Sequence, residues 1–525
     1  MQIKVLPFEH NCPTTKLKVG KMANQDWVAD RLGDWLKQHP NKGPKDAKEK
    51  LEGDYQIKLR YSKAWAGMRL ALQRIHGKYD ESFQLLFNWK AEIEKKSPGT
   101  IVQIDLEKTG KKMRFKRIFV ALKPCIDGFL AGCRPYVGVD STSLNGKYTG
   151  QLASATSVDG HNWLFYVAYA VFGSETDENW EWFMQQLHRA VGSPTGFVIS
   201  TDACKGLEKA VGKVFPEAEH RECMRHLYAN FMKRYNGPIS TQHLYPAARS
   251  YTEDRFRWHM QQIYQASPDA IDYLQRHHSR IWYRCGFSEL SKCDYLTNNV
   301  AESFNKQIKG LKGLLLHELV DSLREMIMEK MYLRRKIGRI LENGKILPSV
   351  EKELNNESNN LRVVKVARSD DDFAEITLVD ADNVTRRQTI DLQNHKCSCR
   401  KWQVTGKPCS HALAWICSNR GITIPDFVHD YYSVSRFKAA YAGRVEPMPD
   451  EDQWEVVDLG FKVFPPVQRR ALGRPRVQRI RGALESGATK KKVKCRRCGG
   501  YGHFTKTCKL AEPDDDNHEV TPRKR

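Results

Sequence analysis

At 525 residues the chain is too long for one hydrophobic core, and 40% hydrophobic content is enough for about three or four globular domains. A net charge of +23 points to a polyanionic partner, because each Lys or Arg seated on a phosphate releases counterions. No apolar h-region follows Met1 and no run of about 18 apolar residues occurs, so neither a signal peptide nor a membrane span is expected. The 14 cysteines are then expected to stay reduced, and clustered ones read as metal ligands.

Residues 15–130 read as a helical N-terminal region. "WVADRLGDWLKQ", "YSKAWAGMRLALQRIHG" and "ESFQLLFNWKAEIEK" repeat apolar residues every three or four positions, and Ser97-Pro98-Gly99 stops the last. Two β-type runs follow, "TIVQIDLE" and "MRFKRIFVAL". DNA binding by a helix–turn–helix and a plain helical scaffold both fit this block.

From residue 131 strands take over. "PYVGVD", "GQLASATSVDG" and "NWLFYVAYAVFG" read as three antiparallel strands, "ENWEWFMQQLHRAV" as a crossover helix and "GFVISTDA" as a return strand. Asp140 and Asp202 end two of these strands, the favoured place for a site in an α/β sheet. A helical stretch follows, and then "TNNVAESFNK". There Asn299 and Glu302 fit a capping box, so Glu302 is read either as a cap or as a third acid. A long charged helix runs to Asn343-Gly344, and three short strands lead into the next cysteines.

"CSCRKWQVTGKPCSH" sets Cys397, Cys399, Cys409 and His411 as two pairs around a loop, which suits tetrahedral Zn²⁺. The spacing matches a SWIM-type zinc finger, read as a small ββα module over 360–425. Residues 446–494 read as a Pro- and acid-rich linker and a basic tail. Between Lys462 and Lys509 there are fifteen Lys or Arg against the single acid Glu485. In the tail, Gly473-Arg474-Pro475-Arg476 resembles an AT-hook and equally fits a nuclear-import signal.

"CRRCGGYGHFTKTC" places Cys495, Cys498, His503 and Cys508 at C-x2-C-x4-H-x4-C, similar to a CCHC zinc knuckle over 495–508. Arg496, Arg497, Tyr501 and Phe504 are its candidate contacts to single-stranded nucleic acid, the aromatics by stacking. A module this small needs its metal to fold. Residues 509–525 read as a disordered tail.

The blocks "GVDSTSLNGKYTGQLASATSVDGHNWLFYVAYAVFGSETDENWEWFMQQL", "ISTDACKGL", "AEHRECMRHLYANF" and "NNVAESFNKQIK" resemble, in order, those of plant Mutator-like transposases. The resemblance implies an α+β multidomain chain with an RNase H-like DDE core over 131–345 and a helical insertion at about 236–290. Asp140, Asp202 and Glu302 then correspond to the three acids, which would hold two Mg²⁺ or Mn²⁺ ions for hydrolysis and strand transfer. Cys223 and His226 match the family's C-x2-H pair, either supporting that site or forming a buried thiol beside a satisfied histidine. His10 and Cys12 match the end of an N-terminal zinc finger, read over 1–14 as its remnant in a chain lacking the first half.

The implied partner is DNA, at terminal inverted repeats or promoter sites, with a nuclear location and homo-oligomers that pair two ends. Three functions stay open: an active transposase, a domesticated DNA-binding regulator, and an RNA-binding knuckle protein on an inert scaffold.

Overall fold

The computed structural model describes residues 23–467, apart from 40–41, 76–78, 203, 236, 342–343 and 381–382. The His10–Cys12 pair, Arg474, Arg476, every knuckle residue and the tail 509–525 lie outside the described residues.

Three helices open the described chain: α1 (Gln25–Gln38), α2 (Pro44–Tyr55) and α3 (Tyr61–Ile75). Asn24 caps α1 by accepting from the Trp27 amide at 2.8 Å, and Pro44 starts α2 where no amide hydrogen is needed. Val28, Leu32, Leu51, Ala64 and Met68 form a core of their own between these helices. The close α1–α3 crossing needs Gly67, since a Cβ there would sit 2.2 Å from Val28 Cγ1.

After α4 (Ser82–Lys96) come β1 (Ile101–Thr109), β2 (Lys112–Ala121) and α5 (Lys123–Gly132). An antiparallel meander follows, β3 (Tyr136–Ser143), β4 (Gln151–Val158) and β5 (Leu164–Phe172). Helix α6 (Asp177–Val191) crosses to β6 (Val198–Thr201), parallel to β3, and α7 (Lys205–Val214) crosses to β7 (Glu219–Glu222), parallel to β6. The strands lie in the order β1-β2-β5-β4-β3-β6-β7. Every residue of β5 is buried, as its unbroken apolar run requires of a strand covered on both faces.

One expected boundary fails. The strands β1 and β2, placed by sequence in the helical N-terminal region 15–130, extend this main sheet. The join is made by β2, whose partner β5 begins about 40 residues later, beyond the reach of local periodicity.

Helix α8 (Met224–Phe231) leads into a helical block, in which a π-helical turn (Ser240–Leu244) runs into α9 (Tyr245–Arg249), α10 (Glu253–Ala266) and α11 (Pro268–His277). Phe231, Leu244, Ile263, Leu274 and Trp282 give it a separate core. The chain returns through α12 (Asn299–Gln307), α13 (Leu316–Ile340) and α14 (Pro348–Asn359). A second antiparallel sheet holds β8 (Val363–Arg368), β9 (Phe373–Val379), β10 (Thr385–Asp391) and β11 (Lys396–Cys397). It is followed by α15 (Lys401–Thr405), α16 (Ser410–Ser418), α17 (Val434–Ala440) and β12 (Val463–Phe464).

The start of the segment read as a linker, 446–467, is instead a strap on the main sheet. Val463 and Phe464 pair in parallel with Met113 and Arg114, and Trp454 and Val463 are buried. Asn88 Oδ1 accepts from the Val457 amide at 3.0 Å, and Arg114 donates to the Pro465 carbonyl at 2.7 Å. Prolines and acids set its composition, while two sparse apolar anchors and distant backbone partners fix its place.

Candidate catalytic and metal sites

The parallel register of β3 and β6 pairs Gly138 with Ser200. Continuing it by two residues sets Asp140 level with Asp202. Asp202 follows the last residue of β6, whereas Asp140 lies inside β3, which runs on to Ser143 in pairing with β4 rather than ending at the acid as the sequence suggested. Asp140 Oδ1 accepts from the Ser141 amide at 2.8 Å, and its Oδ2 accepts from Asn305 Nδ2 at 2.9 Å. Burial, then the charge of Asp202 and, less, of Glu302, push Asp140 up to about 7. Asp202 is also raised, first by burial, with His226 opposing the shift and Glu175 adding to it. Neighbouring carboxylates that disfavour each other's ionisation in a half-buried pocket create a demand for positive charge.

Cys223 and His226 sit at the start of α8. The Cys223 amide donates to the Thr201 carbonyl at 2.8 Å, which ties α8 to the strand end beside Asp202. Cys223 is fully buried, and its Sγ accepts from the Asn298 amide at 3.3 Å. The Cys223 sulfur, and then Asp202 and Asp140, favour the charged form of His226 against its burial and push it up to about 9. His226 therefore supplies positive charge facing the two aspartates.

Glu302 lies in the first turn of α12, but it does not cap the helix. The N-cap is Asn298 rather than Asn299, and it makes no side-chain capping bond. Asn298 instead donates from Nδ2 to the Val139 carbonyl at 2.8 Å, one residue before Asp140. Glu302 Oε2 accepts from Arg225 Nη1. Asn305, one helical turn beyond Glu302, reaches Asp140 from the same helix face. Arg225, Asn298 and Asn305 escaped the sequence reading, although two of them lie in the "NNVAESFN" block that singled out Glu302.

The second site is more compact. Among the described residues, Cys397, Cys399, Cys409 and His411 are the one group of three or more His, Cys, Asp or Glu whose ligand atoms all lie within 4.8 Å of one another. The three acids are not gathered that tightly. Cys397 ends β11, Cys409 precedes α16 and His411 lies in its first turn. Cys409 Sγ lies 4.0 Å from His411 Nδ1, and the four donors suit tetrahedral zinc. Gln403 braces the loop, accepting from the Cys397 amide at 3.2 Å and donating to its carbonyl at 2.9 Å.

Residues 136–230 match the MULE transposase domain, and residues 378–414 match the SWIM zinc finger. The chain carries a MULE transposase domain and a SWIM zinc finger. The SWIM match holds all four of the clustered ligands. The MULE match spans Asp140, Asp202, Cys223 and His226, and ends before Glu302.

Two relatives from Arabidopsis thaliana are similar to the chain. Protein FAR1-RELATED SEQUENCE 6 is 24% identical over 168 residues, covering 31% of this chain and 22% of that protein. Protein FAR1-RELATED SEQUENCE 2 is 23% identical over 267 residues, covering 47% of this chain and 31% of that protein. The chain therefore spans less than a third of either relative. No helix among the described residues is long and apolar enough to cross a membrane.

Proposed function

We propose that the chain is a Mutator-like transposase, or a protein derived from one, whose MULE domain cuts DNA and joins its ends. The observation that carries this reading is Asp140, inside β3, level with Asp202, just past the end of the parallel strand β6, each raised by burial and like charge. The order β5-β4-β3-β6-β7, antiparallel and then parallel, supports an RNase H-like core. Asp140, Asp202 and, once released from Arg225, Glu302 would hold Mg²⁺ or Mn²⁺. When bound, such ions activate the attacking oxygen and stabilise the departing one.

The chain's own groups prepare the site. Asn305 and the Ser141 amide orient the Asp140 carboxylate. His226 balances charge across the aspartates, and Asn298 holds the start of α12 against β3. Zinc held by Cys397, Cys399, Cys409 and His411 would tie β11 to α16, and zinc held by the CCHC segment, with the basic tail, would add affinity for nucleic acid. DNA as partner, a nuclear location and a homo-oligomer belong to this reading.

A second reading has one observation of its own: Arg225 already neutralises Glu302. A DNA-binding regulator that keeps the fold without cutting fits that closed pair. The deciding measurement is Mn²⁺- or Mg²⁺-dependent nicking of element ends by the full chain. Nicking lost in Asp140→Asn and Glu302→Gln supports the transposase. Equal nicking in these variants, or none by the wild type alongside retained DNA binding, removes the catalytic claim.

A further inference from the structure

Outside the two sites, a cleft of about 260 Å³ opens between the C-terminal half of α13 and α17. It is lined by Arg334, Arg335, Gly338, Arg339, Lys438 and Tyr441. Neutral groups orient its arginines. Arg334 donates to the Leu164 carbonyl and, at 2.7 Å, to the Tyr441 hydroxyl. Arg335 donates from Nε to the Tyr441 carbonyl at 2.8 Å and from Nη2 to the Gly443 carbonyl.

Asp159, a buried acid that meets the cleft residue Tyr441, is already engaged. It accepts from the His161 and Trp163 amides, both at 2.9 Å, and from the Tyr441 hydroxyl at 2.8 Å. Burial, then the positive charges of Arg339 and Arg444, depress the Arg335 guanidinium below its ordinary range. The helix C-terminus favours a cation or two near the end of α13, but not a cluster drawn from two helices. Guanidinium forks held by carbonyls, with like charges crowded around a cleft, suit phosphate oxygens.

The cleft is separate from the acids. Asp140 pairs with Ser154 on β4, whereas Leu164, gripped by Arg334, pairs with Val158. Four residues along β4 amount to about 13 Å, towards the opposite end of the sheet.

We propose that this cleft grips the phosphodiester backbone of DNA flanking the segment at the acidic pocket. The inference rests on the DNA-directed reading above and names a surface for it. Its size admits one or two phosphates rather than a folded partner.

The test titrates the full chain into a short labelled DNA duplex by fluorescence anisotropy over a range of salt. Arg339→Glu with Lys438→Glu should weaken binding about tenfold or more and make the log–log salt slope shallower by about two, as expected for two lost phosphate contacts. If the charge-reversed protein does not fold, Arg339→Gln with Lys438→Gln tests the same slope, with unfolding temperature as the control. Wild-type binding with an unchanged slope in the variants overturns the cleft and leaves the DNA reading standing. No duplex binding by the wild type overturns both. If tripolyphosphate raises the unfolding temperature of the wild type but not of the variant, and the DNA slope stays unchanged, the cleft takes a small polyanion and the inference falls.

Discussion

Arg225 of α8 and Glu302 of α12 form an ion pair across 77 residues of chain, with side chains 36% and 22% exposed. The pair engages one carboxylate oxygen of the third acid, so Arg225 competes with a divalent cation for Glu302. Replacing Arg225 with Ala removes both a competing cation and a repulsive charge. A half-exposed pair of this kind is worth about 0.5–1 kcal/mol, so Mn²⁺ should bind about two- to fivefold more tightly by calorimetry. Weaker Mn²⁺ binding in Arg225→Ala would show that the arginine positions Glu302 for the metal instead.

His220 gives the fold an acid-sensitive element. Burial first, and then Arg280, lower its pKa from 6.5 to about 4, and its Nε2 lies 2.8 Å from Thr201 Oγ1. Between these values the unfolded chain takes up a proton that the native site refuses, so stability falls as pH drops from about 6.5 towards 4. The loss should approach about 2–3 kcal/mol. In His220→Gln, urea unfolding followed between pH 7 and 4 should show a flatter acid limb. An acid limb identical to that of the wild type would assign the loss to other groups.

Zinc at the SWIM finger should be structural. Cys409→Ser is expected to lower the zinc content of the purified chain by one equivalent by elemental analysis, and to lower the unfolding temperature. Trp402 and Trp415, both buried, pack around the module that the ion closes. Full zinc content in the variant would exclude Cys409 as a ligand.

The strap makes a purely mechanical prediction. Trp454 is 6% exposed, and its indole nitrogen donates to the Pro449 carbonyl at 3.0 Å. Trp454→Ala should cost about 3 kcal/mol in denaturant unfolding, in the range for removing a large buried aromatic. A change within about 0.5 kcal/mol, as at ordinary surface positions, would return the segment to linker status.

Much of the acidic pocket was legible residue by residue, because strand ends and an apolar crossover helix reveal themselves over short windows. "PYVGVD" and "GFVISTDA" supply β3 and β6, and their register, continued two residues past Gly138 and Ser200, sets Asp140 level with Asp202. The state of Glu302 was not legible. "TNNVAESFNK" is compatible with a capping box, and only the approach of α8 turns the carboxylate to Arg225. Asn305 likewise reads as an ordinary helix residue until α12 packs against β3.

What the sequence determined by itself is what local chemistry encodes: the ligand spacing of the SWIM finger, the alternation of strands and helices around the MULE domain, and a basic charge suited to a polyanion. Only the tertiary structure decided which distant groups meet. It brought Arg225 to Glu302, laid Val463 beside Met113, and set Arg334 and Arg335 opposite Lys438 around a shared cleft. These contacts depend on how elements dock, and their residue types carry no mark of their partners. Local periodicity reports which face of an element is apolar, and the partner that covers that face is settled only when the chain folds.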